Sequence, residues 1–296
     1  VTGDATINLL RHDTPELNPD DRDERFARGQ LGLRSIVNEY LSADLQVFAT
    51  QYETVYLKAI RSAENNVQRS LRLRPAFNWT PSAKTRVRVG TEIRATYTVD
   101  DFVLGGRRPR DQSARELQFE LDGTHDFGDG VVARFSGEQS ELRLGRFFED
   151  SFSEIPFDTL QTTAGWVRIR VGGSAQAEIG LRVFQRRDFN QSTRVRYRRL
   201  DADGNPVIDS NGDPIIATIV KPGREKISQL GPTCSITWPV PRGASIRVEG
   251  WLTFQHVSRR LYGTLPESEA NEIARAARAG TRTTIPNLAL TMSWAF

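Results

Sequence analysis

Hydrophobic and polar residues alternate along most of the chain, and the clearest run lies at its carboxyl end. From Leu288 onward, large apolar side chains fall on one face of an extended segment, and small or polar side chains fall on the other. A period of two is typical of a β-strand, because successive side chains point to opposite faces of the sheet. The apolar positions of this run are Leu288, Leu290, Met292, Trp294 and Phe296. The pattern therefore predicts a strand at the end of the chain.

The same period recurs from residue 4 to the end, and its interruptions alternate between short and long. The cleanest strands are predicted from Val67 to Trp79 and from Val87 to Val99. The residues Phe127 to Gly130 read FGDG, which is typical of a hairpin turn. The other short interruptions are at 38–40, 80–84, 172–174 and 239–243. The spacing predicts about twelve antiparallel strands in a single all-β domain over 1–296, with a protruding hairpin at 190–225 and a loop with a short helix at 262–282.

The composition excludes several classes of protein. The hydrophobic share is 38%, and the mean hydropathy of −0.47 leaves no apolar run long enough for a membrane-spanning helix. The 40 Lys and Arg residues nearly balance the 37 Asp and Glu residues, which argues against a nucleic-acid partner. The single cysteine allows neither an internal disulfide nor a cysteine-based metal site. Because the chain opens on Val1 rather than on Met, we expect a processed or truncated product, as an exported protein would be.

The terminal run resembles the C-terminal signal of bacterial outer-membrane β-barrels, whose last strand ends on Phe with apolar residues at alternate positions before it. This resemblance is architectural and covers the whole chain. It implies a closed antiparallel transmembrane β-barrel of about twelve strands in the bacterial outer membrane, with short periplasmic turns and long extracellular loops. It also implies recognition of the C-terminal strand by the barrel-assembly machinery.

A soluble β-sandwich is the alternative architecture, and the positions of the aromatic residues argue against it. Aromatic side chains cluster at the ends of the predicted strands, where a barrel anchors at the two membrane interfaces. A sandwich has no reason to confine aromatic residues to strand ends. The predicted interface aromatics are Trp79, Tyr97, Phe127, Trp238, Phe254, Trp294 and Phe296.

The faces opposite the apolar ones are rich in arginine and glutamate. In a barrel they would line a narrow lumen, where opposite charges pair or stay hydrated. We expect cross-strand ladders of Arg and Glu that narrow or close the pore. The predicted lumen-lining residues are Arg72, Arg74, Arg86, Arg88, Glu92, Arg94, Glu116, Glu120, Arg134, Glu138, Arg168, Arg170, Glu178, Arg182, Arg247 and Glu249.

Catalysis and metal binding have weak support in the sequence. The histidines lie in no recognisable motif, and the pair His256 and Ser258 is the only basis for a minor hydrolase hypothesis. The segment from Asp201 to Asp213 resembles a calcium loop, but Gly212 occupies the twelfth position, where an EF-hand requires glutamate. A pair of Asx and Gly turns explains this segment better. We therefore predict no enzyme activity, no catalytic residues, no metal and no cofactor.

The function expected is that of a porin-like passive channel for small solutes, anionic because arginine outnumbers the acids on the lumen faces. The alternative is an anchoring barrel with a closed, salt-bridged lumen in a larger outer-membrane assembly, in contact with other envelope proteins. Lipid and lipopolysaccharide are the expected surroundings. A set of arginines in two loops either grips lipopolysaccharide phosphates or forms an ordinary solvated surface; these are Arg186, Arg187, Arg194, Arg196, Arg198, Arg199, Arg107, Arg108 and Arg110.

Overall fold

The architecture is all-β with one helix, as the alternation predicted. The structure is a computed structural model, and it describes residues 1–12, 21–57, 64–100, 111–148, 153–172, 175–240 and 244–293. The loop arginines Arg107, Arg108 and Arg110 and the terminal Trp294 and Phe296 lie outside the described residues.

Twelve antiparallel strands and one helix follow one another along the described parts of the chain. Their bounds are β1 (Thr2–His12), β2 (Arg22–Ile36), β3 (Leu41–Tyr56), β4 (Asn66–Ser82), β5 (Thr85–Asp100), β6 (Gln112–Gly128), β7 (Val131–Phe148), β8 (Ser153–Val171), β9 (Gln176–Arg198), β10 (Ile216–Val240), β11 (Ala244–Leu261), α1 (Ala270–Ala279) and β12 (Thr281–Ser293).

The strands lie in the sheet in the order of the sequence, from β1 to β12. Each strand therefore has its chain neighbours as its hydrogen-bonded neighbours, which is the arrangement that short turns and hairpins impose. Within the described residues no pairing joins β12 to β1, so the sheet is open. The closed barrel accordingly stays a prediction.

The chain forms two compact units. Unit 1 comprises Val1–Gly123 and Gln139–Thr159, and unit 2 comprises Thr124–Glu138 and Leu160–Phe296. In unit 1 the registers of β1 to β5 are continuous over most of their length. In unit 2 the registers of β9 to β12 are equally extensive.

Each unit has an apolar face and a polar face, and these names are kept below. In unit 1 the apolar face carries Leu71 and the polar face carries Arg72 of β4. In unit 2 the apolar face carries Leu230 of β10, and the polar face carries Glu178 of β9 opposite Ser235. Most large side chains of the two apolar faces remain exposed, because no other layer formed by the described residues packs against these faces.

The segment 190–225 differs from the separate hairpin that we expected. Its two strands are extensions of β9 and β10, since Val195 pairs with Ile219 in the same ladder as the lower parts of these strands. A β-bulge separates the two parts of β9: Phe189 and Asn190 together lie opposite Arg224, and Asn190 has φ 62°. The extra residue interrupts the alternation, so that the sequence pattern restarts as if a new strand began.

The sequence from 146 to 158 shows no clear alternation, yet the described residues of this segment are strand. β7 continues to Phe148, and β8 begins at Ser153. Polar and aromatic residues cluster in this segment, which obscures the alternation of the two strand ends. The FGDG turn between β6 and β7 is present as predicted, with positive φ angles at Asp129 and Gly130, as a tight hairpin requires.

Candidate functional site

The polar face of unit 1 carries a cluster of arginine and glutamate residues from three neighbouring strands. Glu92 of β5 lies 3.0 Å from Arg74 and 3.9 Å from Arg72, both on β4. Arg74 also lies 3.6 Å from Glu120 of β6, and Arg94 of β5 forms an ion pair with Glu116. The predicted cross-strand pairing of Arg and Glu is therefore present among these residues.

The register explains why this cluster needs its acids. Arg72 of β4 lies directly opposite Arg94 of β5, and like charges at opposed positions repel each other. Glu92 lies two residues before Arg94 on the same face of β5, and its negative charge offsets this repulsion. The Glu92 residue is only 7% exposed. The guanidinium of Arg72 also stacks over the ring of Phe48, 4.2 Å from its centroid, a contact that the sequence did not reveal.

The polar face of unit 2 repeats this arrangement on other strands. Glu178 of β9 lies 3.3 Å from Arg247 of β11 and 3.8 Å from Arg168 of β8. Glu249 of β11 lies 3.3 Å from Arg247 and 3.6 Å from Arg168. The hydroxyl of Ser235 on β10 donates a hydrogen bond of 3.4 Å to Glu178. Two arginines and two glutamates thus form a closed ring of four ion pairs.

Six predicted lumen residues lie outside these clusters. Arg170 donates a hydrogen bond to the side chain of Gln176. The other five have no ion-pair partner among the described residues, and four of the five are arginines. These five residues are Arg86, Arg88, Arg134, Glu138 and Arg182, and all are exposed. The arginines in excess are therefore the ones that water and solutes can reach.

The predicted interface aromatics that the structure describes lie on strands, and most are well exposed. Trp79 of β4 is 50% exposed and Trp238 of β10 is 41% exposed. Phe127 packs edge-to-face against His125 with 4.5 Å between ring centroids. Phe254 is exposed, whereas Tyr97 is half-buried. The side chains of Trp294 and Phe296 lie beyond the described residues, so their interface role stays a prediction.

Helix α1 packs onto the extended ends of β9 and β10 in unit 2. Ile273 and Ala277, one turn apart on the helix, are buried against Val195 and Tyr197 of β9. The bulge at Asn190 places Val195 and Tyr197 on the same face of the sheet as Glu178, because their partners on β10 share the parity of Ser235. The helix therefore covers the outer end of the polar face.

The entry of the helix is fixed by Glu269 at its amino end. The Tyr197 hydroxyl donates a hydrogen bond of 2.7 Å to Glu269 Oε2, and the backbone N–H of Leu200 donates one of 3.3 Å to Glu269 Oε1. The helix ends at Gly280, whose φ of 55° suits a residue without Cβ. The contacts of Glu269 therefore hold the amino end of the helix on β9, and Gly280 ends the helix.

Ile273→Ala is expected to loosen α1 by about 3 kcal/mol, because Ile273 is fully buried and truncation leaves a cavity. Hydrogen exchange of the α1 amides measures this local opening. The matched control is Arg275→Ala on the same helix, whose side chain is 69% exposed; it should change exchange by less than about 0.5 kcal/mol. Equal effects of the two variants would show that the helix does not depend on this contact.

A basic pocket of about 540 Å³ lies beside α1. Its lining includes Arg224 and Lys226 of β10, His256, Ser258 and Arg260 of β11, and residues of α1. The Nε2 atom of His256 lies 3.2 Å from the carbonyl oxygen of Ala279. Among the described residues that line the pocket there is no carboxylate to orient His256, and the Ser–His pair therefore gains no catalytic support from the structure.

This pocket was not predicted, although the sequence contains one feature that indicates it. The even-numbered positions of β10 carry apolar residues from Leu230 to Trp238. Earlier in the strand, the same face carries Arg224 and Lys226. β11 shows the same change from Phe254 to His256 and Arg260. A switch from apolar to basic residues on one face of two paired strands marks this site.

The segment from Asp201 to Asp213 forms two successive turns of the same kind. Asp201 Oδ1 accepts hydrogen bonds from the backbone N–H groups of Asp203 and Asn205, and Asp209 Oδ1 accepts them from Asn211 and Asp213. These are Asx turns, and they use one oxygen of each aspartate to order the backbone. Across the described chain, no group of His, Cys, Asp or Glu has the arrangement of a metal site.

Comparison with known proteins does not place the chain in a family. No protein-family model matches the sequence, and no curated protein matches it significantly. None of the described helices has the length and apolar character needed to cross a membrane. The function is therefore argued from the geometry alone.

Proposed function

We propose that the chain is a bacterial outer-membrane β-barrel that works as a porin-like passive channel for small anionic solutes. Closure of the sheet by pairing of β12 with β1 is part of this proposal. In hydrocarbon an open sheet edge leaves backbone N–H and C=O groups without partners. Closure removes both edges at once.

The observation that carries the proposal is the apolar band on each unit. On β4, exposed or half-buried apolar residues occupy alternate positions from Leu71 to Trp79, and on β10 they do so from Leu230 to Trp238. Each run covers nine residues, or about 26 Å along the strand. A tilted strand crosses the hydrocarbon of a bilayer with about 9–11 residues, so each run has the length of a short transmembrane strand.

Both bands end in the same way. In each unit the apolar residue nearest the short turn is a tryptophan, Trp79 in unit 1 and Trp238 in unit 2. Polar residues follow at the opposite end, where Arg69 precedes Leu71 and Ser228 precedes Leu230. Tryptophan prefers the membrane interface, so the two independent units support the same membrane placement.

The anion preference follows from the charges of the polar faces. The ion-paired clusters are balanced, with three arginines and three glutamates in unit 1 and two of each in unit 2. The excess positive charge comes from the exposed arginines, of which Arg86 and Arg88 lie on the same strand face as Glu92. Fixed positive charge in a narrow path raises the local anion concentration.

Conductance of the purified protein in a planar bilayer with asymmetric KCl tests this function. We expect steady conductance with a reversal potential that favours chloride. In the double variant Arg86→Gln, Arg88→Gln the preference should fall measurably, and most clearly at low salt, because salt screens exposed charges. The matched control is Arg194→Gln, Arg196→Gln, which removes two exposed arginines from β9 on the side away from the polar face. A chloride preference that persists without Arg86 and Arg88 would contradict the assignment.

The second candidate is an anchoring barrel with a closed lumen, and the position of α1 favours it. The helix covers one end of the polar face in unit 2, and the ring of Arg168, Glu178, Arg247 and Glu249 lies nearer the other end of that face. Replacement of residues 264–279 by a short Gly-Ser linker separates the two candidates. A folded wild-type protein that does not conduct, together with a linker variant that does, favours the anchoring role with α1 as the obstruction.

A further inference from the structure

Two large aromatic side chains lie on the polar face of unit 2, outside its ring of ion pairs. Phe184 is six residues after Glu178 on β9, and Trp251 is two residues after Glu249 on β11. Residues an even number apart on a regular strand share a face. Both aromatic residues are half-buried, so part of each ring remains accessible. The interior faces of transmembrane barrels are mostly polar, and accessible rings on such a face are available for contact with a ligand.

An exposed arginine lies near these rings. Arg182 of β9 is two residues before Phe184, on the same face, and it pairs with Gly231 of β10. Gly231 has no side chain, and neither has Gly180, two residues before Arg182 on β9. These two positions therefore leave the guanidinium uncovered. Among the described residues Arg182 has no ion-pair partner, so its charge is available to an anion.

These side chains border one shallow depression. Seven of its lining residues lie on the polar face, and the other two, Leu230 and Leu252, are their neighbours along the chain. The lining is Arg182, Phe184, Gln229, Leu230, Gly231, Thr233, Trp251, Leu252 and Thr253. Its enclosed volume is only about 10 Å³, which is about the space of one water molecule. A larger ligand therefore lies over the depression, on the open surface of the polar face.

The register sets the distance that such a ligand spans. β9 and β11 lie on the two sides of β10, so Arg182 and Trp251 are about 10 Å apart across the sheet. Arg182 pairs with Gly231 and Trp251 pairs with Thr233, so they are also about 7 Å apart along the strands. Both side chains are long. A molecule with one six-membered ring and one acidic group is large enough to contact both.

The polar groups around the depression favour a ligand with a single charged group over a sugar. A sugar needs several hydrogen-bonding side chains around its hydroxyl groups. The side-chain amides of Gln229 and Gln255 are hydrogen-bonded to each other at 2.7 Å, and the nearby glutamates are engaged in the ring of ion pairs. The guanidinium of Arg182 remains, and it binds a carboxylate through two parallel hydrogen bonds.

We propose that this depression binds a small aromatic carboxylate, with its carboxylate on Arg182 and its ring against Phe184 and Trp251. Aromatic rings attract each other in stacked or edge-to-face contact, and Arg182 supplies the charge that the carboxylate requires. The role of the site in solute passage rests on the proposed channel function. The binding itself does not depend on conductance.

Ligand-observed NMR of the folded protein in detergent micelles tests the site, with protein-free micelles as the blank. Benzoate carries the ring and the charge together, acetate carries the charge alone, and benzyl alcohol carries the ring alone. We expect benzoate to bind at least about fivefold more tightly than either of the other two, because only benzoate makes both contacts.

Arg182→Gln should weaken benzoate binding about tenfold, because the charged hydrogen bonds to the carboxylate are lost. Trp251→Leu should weaken benzoate binding about fivefold and leave acetate binding unchanged, because it removes only a ring contact. The matched control is Arg196→Gln, which removes the same charge from an exposed position of β9 outside the depression. Its benzoate binding should equal that of the wild type. A circular dichroism spectrum typical of β-sheet confirms that each variant is folded.

The outcomes separate the possible errors. Equal binding of benzoate and acetate, or equal losses in Arg182→Gln and Arg196→Gln, would overturn the site. Benzyl alcohol that binds as tightly as benzoate would overturn the carboxylate contact, and unchanged benzoate binding by Trp251→Leu would overturn the position of the ring. Conductance is measured independently. A protein that binds benzoate but does not conduct would refute the channel and leave this site standing, whereas chloride conductance without a preference for benzoate would do the reverse.

Discussion

Gly231→Ala is expected to lower the free energy of unfolding by about 3 kcal/mol, or to prevent folding altogether. A Cβ at Gly231 of β10 would collide with the backbone carbonyl of Leu252 on β11. The obstacle is main chain held in a sheet, so no side-chain rotation relieves the clash. The adjacent Pro232 has no N–H to donate, and the two strands approach closely at this point because Gly231 leaves room. Glycine within a strand often marks such an approach.

Gly29→Ala is the matched control for this prediction. Gly29 also lies within a strand, β2, but a Cβ there would meet no atom within 4 Å. We expect a change of less than about 1 kcal/mol, with a tendency to stabilise, because alanine restricts the unfolded chain. Urea unfolding in detergent micelles, followed by tryptophan fluorescence, compares the two variants. Similar midpoints for both would show that the β10–β11 pair can move apart at little cost.

The strands could be predicted because one physical rule governs nearly all of them. A sheet with one apolar and one polar face alternates residue by residue, so Leu71, Leu73 and Phe77 mark the apolar face of β4 without any knowledge of its neighbours. The rule failed at Asn190. The extra residue of the bulge there means that odd-numbered residues of β9 after it face the side that even-numbered residues face before it. Val195 and Tyr197 therefore looked like a new strand, although they continue β9 on its polar face.

The charged residues of the polar faces were predicted, but their partners were not. Arg247 and Glu178 are separated by 69 residues, and their contact depends on the registers of β9, β10 and β11 together. A register is set by turn geometry and by every pairing before it, which single-strand alternation does not contain. The short helix within the loop at 262–282 was also predicted, whereas its packing on Val195 required knowledge of the bulge.

The basic pocket was missed for a different reason. The arginines of 186–199 drew attention because they are dense in the sequence, yet Arg194 and Arg196 are exposed and do not line this pocket. Arg224 and Arg260 are 36 residues apart, and only the pairing of β10 with β11 brings them opposite each other. Charge density along the chain is a poor guide to charge density in space, because strands place distant residues side by side.

Glu92→Gln is expected to destabilise the protein by about 3 kcal/mol, because it leaves Arg72 and Arg74 without their shared carboxylate in a partly buried cluster. The matched control is Glu53→Gln on β3. Glu53 lies 3.6 Å from Arg25, and its side chain is 30% exposed, so its loss should change the free energy of unfolding by less than about 1 kcal/mol. Urea unfolding in micelles measures both variants.

The same substitution also tests whether the cluster faces the conducting path. Removal of Glu92 leaves Arg72 without a paired acid and leaves Arg74 with Glu120 alone. The polar face of unit 1 gains one net positive charge, so chloride preference in a planar bilayer should rise. Glu53→Gln should leave it unchanged, since Glu53 lies on the opposite side of its strand from Phe48, which contacts Arg72. A destabilised Glu92→Gln protein with unaltered selectivity would mean that the cluster only holds β4, β5 and β6 together. Increased chloride preference would mean that these ion pairs both hold the strands together and set the charge that a passing solute encounters.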